Sequence, residues 1–334
     1  MKLICYAFST LLVFGLSSTM SSAAPETAKI VFTSTRDGNS EIYIMNPDGS
    51  EQINLTQHRA SDFHPVWAPT GDHILFVSDR NGTKDLYLMK ADGTNVLKVF
   101  RRLVGREHPT WSPDGKQIAY HRFNRLAIYV ASSDGTGEEK LVDGLWPAWA
   151  PNGSEIAFIA DEKFAVVGDG RLKAEKPRVQ IIHLQTSAKE TLLPGKDLMF
   201  NPAWAPESNR IAFSWIDLEA IPVEELLAGK NAGDTIGVYV VNRDGSGLKE
   251  IAAGDDGTTF NPTWSPRGDE LIYDKQIREG KQLFKIASGG GIPEQITHRS
   301  NNFEADWFDP AFALPVSPQP HLLITVWGKL KTQD

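Results

Sequence analysis

The chain has a single cysteine, Cys5, among 334 residues. It sits inside an apolar stretch at the N-terminus. The remaining residues therefore offer no disulfide framework, thiolate metal site or cysteine nucleophile. A basic excess is also missing: 34 lysines and arginines face 42 aspartates and glutamates, for a formal net charge of −8 at pH 7. That balance lacks the electrostatic footprint of a nucleic-acid or anionic-membrane binder. No apolar run is long enough to cross a membrane, because Leu3 to Leu16 spans about 14 residues where a spanning helix needs roughly 20.

The same stretch has the parts of a secretory signal: Lys2 before it and the small residues Ser21, Ser22 and Ala23 after it. Residues 1–23 are read as a signal peptide, which predicts a periplasmic or secreted protein. The whole sequence is globular in composition, 41% hydrophobic and 23% charged, which excludes collagen, coiled coil and disorder.

What is present is a repeat. Pro-x-Trp-(Ala or Ser)-Pro occurs at Pro65–Pro69, Pro109–Pro113, Pro147–Pro151, Pro202–Pro206 and Pro262–Pro266, with a degraded copy at Ala305–Pro310. Successive tryptophans, from Trp67 to Trp307, are 44, 38, 55, 60 and 43 residues apart, the length of a four-stranded propeller blade with two insertions. Each copy is followed by a tight turn such as Asp114-Gly115 and an apolar strand such as Gln117–Tyr120. An aromatic and β-branched strand comes next, such as Asp85–Met89, then a hairpin at Asp48-Gly49, Asp92-Gly93, Asp134-Gly135 or Asp244-Gly245. A last short strand completes an antiparallel meander.

The chain opens in mid-unit. Lys29–Ser34 reads as the second strand of a blade, and the Trp307 copy reads as a first strand with nothing after it. Pairing the two ends closes six blades and removes exposed sheet edges. The expected fold is all-β, a six-bladed propeller over residues 24–310, with a proline-rich spacer and a strand-like tail over 311–334. Alternation places Phe63, Pro65 and Trp67 on one blade face and His64, Val66 and Ala68 on the other, so the tryptophans are expected to pack between blades.

Trp111-Ser112-Pro113-Asp114-Gly115, with Val77-Ser78-Asp79-Arg80-Asn81-Gly82, resembles the TolB-type, WD-like propeller repeats, and the resemblance extends over residues 29–310. It implies the propeller fold strongly and a particular activity weakly. The family's namesake, as the resemblance implies, is a periplasmic partner-binding protein with a further domain before its propeller. Here the signal is expected to lead almost directly into the first strand, without that domain.

Antiparallel connectivity puts the loops after second strands and those between blades on one face. Two insertions lie there, about Ala160 to Pro177 and Ile216 to Thr235. The second includes a short helix signal, Pro222 to Gly229, whose Val223, Leu226 and Leu227 either pack the loop down or contact a partner. The residues preceding each repeat copy, Glu304, His64, His108, Trp146, Asn201 and Asn261, enter the first strands at the central mouth of that face. Glu304, His64 and His108 occupy adjacent blades, where a carboxylate and two imidazoles could ligate a divalent metal; packing or channel hydrogen bonds is the other reading.

Nucleophile-elbow, zincin, phosphate-loop and dinucleotide motifs are all missing. No catalytic residue, metal ligand or cofactor is assigned. The expected function is a monomeric, exported, non-catalytic scaffold that binds a protein or envelope polymer through this face, with no nucleic acid and no transmembrane segment in the mature chain. The alternative is a metal-dependent enzyme acting on acidic polysaccharide, since oligogalacturonate lyases are similar propellers with histidine-bound metal.

Overall fold

The computed structural model describes residues 24–161, 165–166, 172–173, 177–193, 199–216, 236–254 and 257–314. Each repeat unit forms a four-stranded antiparallel sheet, and six such sheets make the propeller that the spacing predicts. Blade 2 shows the pattern: Asp62–Trp67, His73–Ser78, Asp85–Lys90 and Leu97–Lys98 pair in chain order. Blade 3 begins at Glu107–Trp111, blade 4 at Leu145–Trp149, blade 5 at Met199–Trp204 and blade 6 at Thr259–Trp264.

Blade 1 is made from both ends of the propeller. Asn302–Phe308 pairs with Lys29–Ser34, which continues to Glu41–Met45 and Ile53–Asn54. The register Ile30↔Trp307 and Ser34↔Asn302 closes the ring by backbone hydrogen bonds.

The hairpin turns form for a local reason. Asp48 Oδ1 accepts from the Ser50 backbone N–H at 2.9 Å, and the same bond recurs from Asp92 to Thr94, Asp134 to Thr136 and Asp244 to Ser246. The intervening glycine takes the positive φ that the turn requires, +81° at Gly49.

The core lies between blades. Trp204 of blade 5 packs on Ala148, Ala157, Ile159 and Ile181 of blade 4, and Trp264 of blade 6 on Ala205 and Ala212 of blade 5. Their indoles donate back to the preceding blade, to Ala148 O at 3.1 Å and Ala203 O at 3.0 Å. The inter-blade role expected of the tryptophans is thus the one they have.

Blade 1 is locked to blade 2 by ring contact, with Phe308 5.3 Å from Trp67. Gly71, in the first turn of blade 2, has φ +72°, and a Cβ added there would fall within the Phe308 ring. Gly71→Ala is expected to lose about 2 kcal/mol, through both the left-handed backbone and the displaced ring. Equilibrium urea unfolding measures this, and a change under 0.5 kcal/mol would show that the contact yields freely.

The strict alternation expected of the first strand does not hold. In blade 2 the register runs Phe63↔Val77 and then Val66↔Leu75, so His64 and Pro65 together face one residue. Equivalent shifts occur at Glu107/Thr110, Leu145/Ala148, Phe200/Ala203 and Phe260/Thr263, and blade 1 shifts against Val31/Thr33. Each is a bulge. Proline, without an N–H, suits the unpaired position.

The insertion in blade 4 contains a two-stranded pair, Ala165–Val166 with Leu172–Lys173. Pro222–Gly229, and with it Val223, Leu226 and Leu227, lies outside the described residues, as do the signal and the tail beyond residue 314. Among the described residues no helix is long and apolar enough to cross a membrane.

Candidate functional site

The bulges aim one residue from every blade at the axis. His64, His108, Trp146, Asn201, Asn261 and Glu304 all have left-handed backbone, with φ between +47° at His64 and +56° at Glu304. Asparagine and histidine tolerate this region better than most residues, but tryptophan and glutamate do not, at a cost of order 1–2 kcal/mol each. Such strain at a bulge re-aims side chains. All six line one cavity of about 260 Å³ at the centre of the ring. The structure thus brings together all six positions expected at the mouth.

Beneath this layer the strands contribute Pro65, Pro109, Pro147, Pro202, Pro262 and Ala305, and then Val66, Thr110, Ala148, Ala203, Thr263 and Asp306. The cavity is therefore three stacked rings, with a polar and aromatic entrance, an apolar neck, and a lower ring whose single charged member is Asp306.

One side of the entrance is a hydrogen-bonded chain across blades. Glu304 Oε1 lies 2.6 Å from His64 Nε2, and its Oε2 accepts from the His64 backbone N–H at 2.9 Å and from Thr33 Oγ1 at 3.1 Å. The His64 and His108 rings are 3.7 Å apart, and His108 stacks on His121 at 4.8 Å. Trp146 donates its indole N–H to His108 Nε2 at 3.1 Å and its backbone N–H to His121 Nδ1 at 3.2 Å. Both Trp146 groups are donors only, so His108 must carry its proton on Nδ1 and His121 on Nε2. From Trp146 an aromatic arc continues through Phe200 at 5.5 Å to Phe260 at 6.1 Å. Entrance chemistry is therefore divided: carboxylate and imidazoles over blades 1 to 3, aromatic rings over blades 4 to 6.

Burial sets the charges. It works to raise the Glu304 carboxyl, but the His64 imidazole and the hydrogen bonds from His64 and Thr33 outweigh it and hold the group below its ordinary value. Burial pushes Asp306 up to about 6, against the hydrogen bond from the Trp67 backbone N–H. Asp274, 1% exposed, is also pushed up to about 6 by burial, with Lys281 opposing. Its Oδ1 accepts from Asn261 Nδ2 at 2.8 Å and meets the Glu304 backbone N–H at 3.4 Å, while Oδ2 has no hydrogen-bond partner. Burial, with His64 and His121 nearby, holds His108 well below its ordinary value. Burial also lowers His121 to about 3, helped by His64 and Lys84.

Sequence reasoning missed His121, Asp274 and Thr33, and a signal for them exists. They follow the buried aromatic of each second strand, a position occupied round the ring by Thr33, Val77, His121, Ile159, Ser214 and Asp274. All are 1% exposed or less. Val and Ile are the ordinary choices for a fully buried strand position. The polar exceptions at the same repeat position mark residues kept for the channel wall.

Opposed shifts make a pH prediction. A raised Asp274 stabilises the fold fully below its unfolded value of 3.8 and loses that contribution as pH rises through about 6. A lowered His121 stabilises fully above 6.5 and loses its contribution as pH falls towards about 3. Between pH 4 and 6 the two slopes, each about 1.4 kcal/mol per pH unit, offset one another. Asp274→Asn should therefore lose about 1.4 kcal/mol more than the parent for each unit of acidification in that window, and His121→Asn should lose correspondingly less. Urea unfolding at pH 4, 5 and 6 decides, and parallel pH profiles for parent and variants would refute the assignment.

A metal ligand set does not assemble. Among the described residues no group of three or more histidine, cysteine, aspartate or glutamate side chains is placed to hold a metal ion. His64 Nε2 faces Glu304, and His108 Nε2 is engaged by the Trp146 indole.

Comparison with known proteins agrees with the repeat and the ring. The TolB beta propeller domain family matches residues 15–175. A Tol-Pal system protein TolB from Geobacter sulfurreducens is 45% identical over 47 residues, covering 14% of this chain and 11% of that protein. The crystal structure of TolB from Acinetobacter baumannii superposes with a TM-score of 0.69 at 14% identity, over 84% of this chain and 66% of that one. An oligogalacturonate lyase solved in complex with manganese gives 0.50 at 13% identity, over 82% of this chain and 74% of that one. These low identities speak for the fold alone, and the chain spans less than two thirds of the length of the two TolB proteins. Pro-x-Trp repeats, six four-stranded blades and the family match over residues 15–175 agree, and the chain is a six-bladed β-propeller similar to the TolB-like propeller repeat proteins.

Proposed function

We propose that the chain is an exported, non-catalytic scaffold that binds a protein or an envelope polymer through the face at which the first strands begin. The observation that carries this reading is the ring of six strained, left-handed residues at one cavity mouth. Packing alone does not call for tryptophan and glutamate in that backbone region, whereas a recognition surface on a rigid ring does. The insertions about Ala160 to Pro177 and Ile216 to Thr235 follow second strands that end at this face, and in this reading Val223, Leu226 and Leu227 add apolar contact. The apolar N-terminus supports export.

Capture from an envelope extract on immobilised protein tests the reading. Parent protein should retain a defined component that is lost on Asn201→Ala with Asn261→Ala, or on deletion of 217–235, while the melting transition stays cooperative. Retention unchanged in both variants would place the binding surface elsewhere.

A further inference from the structure

The cavity has an unusual charge pattern. Its walls contain the carboxylates of Glu304 and Asp306 and no lysine or arginine. Among the described residues neither carboxylate forms an ion pair with lysine or arginine; Glu304 is held by His64 and Thr33, and Asp306 by the Trp67 backbone N–H. Just behind this wall the Asp274 carboxylate, on a side chain only 1% exposed, adds a third acidic group, whose Oδ2 faces Lys281 Nζ. Among the described residues Asp306 is the one of these carboxylates with no cationic partner, and a buried negative charge left unpaired is costly, so this position favours a cation.

Opposite blade 1 in a six-membered ring stands blade 4, whose entrance residue is Trp146. Carboxylates facing an indole suit an organic cation, which gains from ion pairing on one side and from the ring quadrupole on the other. The chain itself shows this chemistry one blade away: Lys281 Nζ lies 3.8 Å from Asp274 Oδ2, 5.1 Å from the Phe260 ring centroid and 5.5 Å from that of Phe303. Between entrance and Asp306 the proline neck is apolar, matching the methylene stem of a long cationic side chain.

We infer that the cavity receives a lysine or arginine side chain presented by a protein partner, its stem passing Glu304 and Trp146 at the entrance and filling the proline neck, and its cationic head at Asp306. This rests on the binding reading above and specifies the partner's anchor.

Titration of the labelled full chain with Nα-acetyl-lysinamide, Nα-acetyl-argininamide, neutral Nα-acetyl-norleucinamide and calcium chloride tests it, read by indole ¹H–¹⁵N signals, with Trp146→Phe assigning the reporter. Saturable shifts at Trp146 are expected with at least one cationic amide and none with norleucinamide. Asp306→Asn, which keeps an acceptor for Trp67 N–H, should weaken binding at least tenfold. Asp48→Asn, at a turn on the opposite face, should not. Equal binding of norleucinamide, no binding of either cationic amide, or saturation by calcium alone would each overturn the inference. If the amides fail while the mouth variants still lose partner capture, the anchor is wrong and the binding reading stands. If the amides bind while partner capture ignores the mouth, the binding reading fails instead.

Discussion

A chain ending at Ser300 is expected to fail to close its ring and to accumulate as aggregate, whereas one ending at Leu314 should fold like the full protein. The difference between them is chiefly one strand, Asn302–Phe308, and its contacts are spread over three blades. It pairs with Lys29–Ser34 in blade 1. It sends Phe308 against Trp67 and the Asp306 carboxylate to the Trp67 N–H in blade 2. On the other side Asn302 Nδ2 donates to Gln282 Oε1 in blade 6 at 3.0 Å.

Losing the burial of Phe308, with Ala305 and the partly covered Trp307, removes on the order of 5 kcal/mol, comparable with the whole stability of many domains. It also strips the partner from Lys29–Ser34, a β-branched edge whose last five residues are fully buried in the closed ring. Soluble yield, size-exclusion chromatography and circular dichroism of the two truncations provide the measurement. Adding a peptide of residues 301–314 to the shorter chain during refolding should restore soluble monomer. A shorter chain that is monomeric and melts cooperatively on its own would show that five blades and a partial sixth are self-sufficient.

The predicted closure was legible because it depends on local signals. Lys29–Ser34 matches a second strand and Trp307 a first strand, and no other arrangement uses both. The mouth was legible for a similar reason: the residue before each Pro-x-Trp has a fixed place in the unit, so Glu304, His64, His108, Trp146, Asn201 and Asn261 had to meet.

How they point was not legible. The left-handed bulge is a property of the ladder between first and second strands, and Trp146 or Glu304 carries no local preference for it. Asn201 and Asn261, with His64 and His108, would have hinted at it. Asp274 and His121 were hidden because their partners lie in neighbouring blades: Asp274 meets the Glu304 N–H 30 residues on, and His121 the Trp146 N–H 25 residues on. Only comparing the six units with one another at that strand position exposes them.

Trp204→Ala should be the most damaging single substitution within the described blades, at about 3–5 kcal/mol. Trp204 is 7% exposed and fills the space between blades 4 and 5, where the facing residues Ala148, Ala150 and Ala157 are small and cannot move in to close a cavity. The substitution also leaves Ala148 O without the indole donor. Trp264→Ala should follow closely, since Trp264 repeats both features against Ala205 and Ala203 O.

Trp111 and Trp307 are different. Each is only partly buried, and neither indole N–H has a hydrogen-bond partner. Alanine at either should cost no more than about half as much. The order is the test, because every one of these residues belongs to a copy of the same repeat and a repeat-based reading alone would make them equivalent. Urea unfolding of the four variants separates the accounts. Equal losses would mean that each tryptophan matters only as a member of the motif, whereas the graded series would show that the small residues of the preceding blade decide how much each interface contributes.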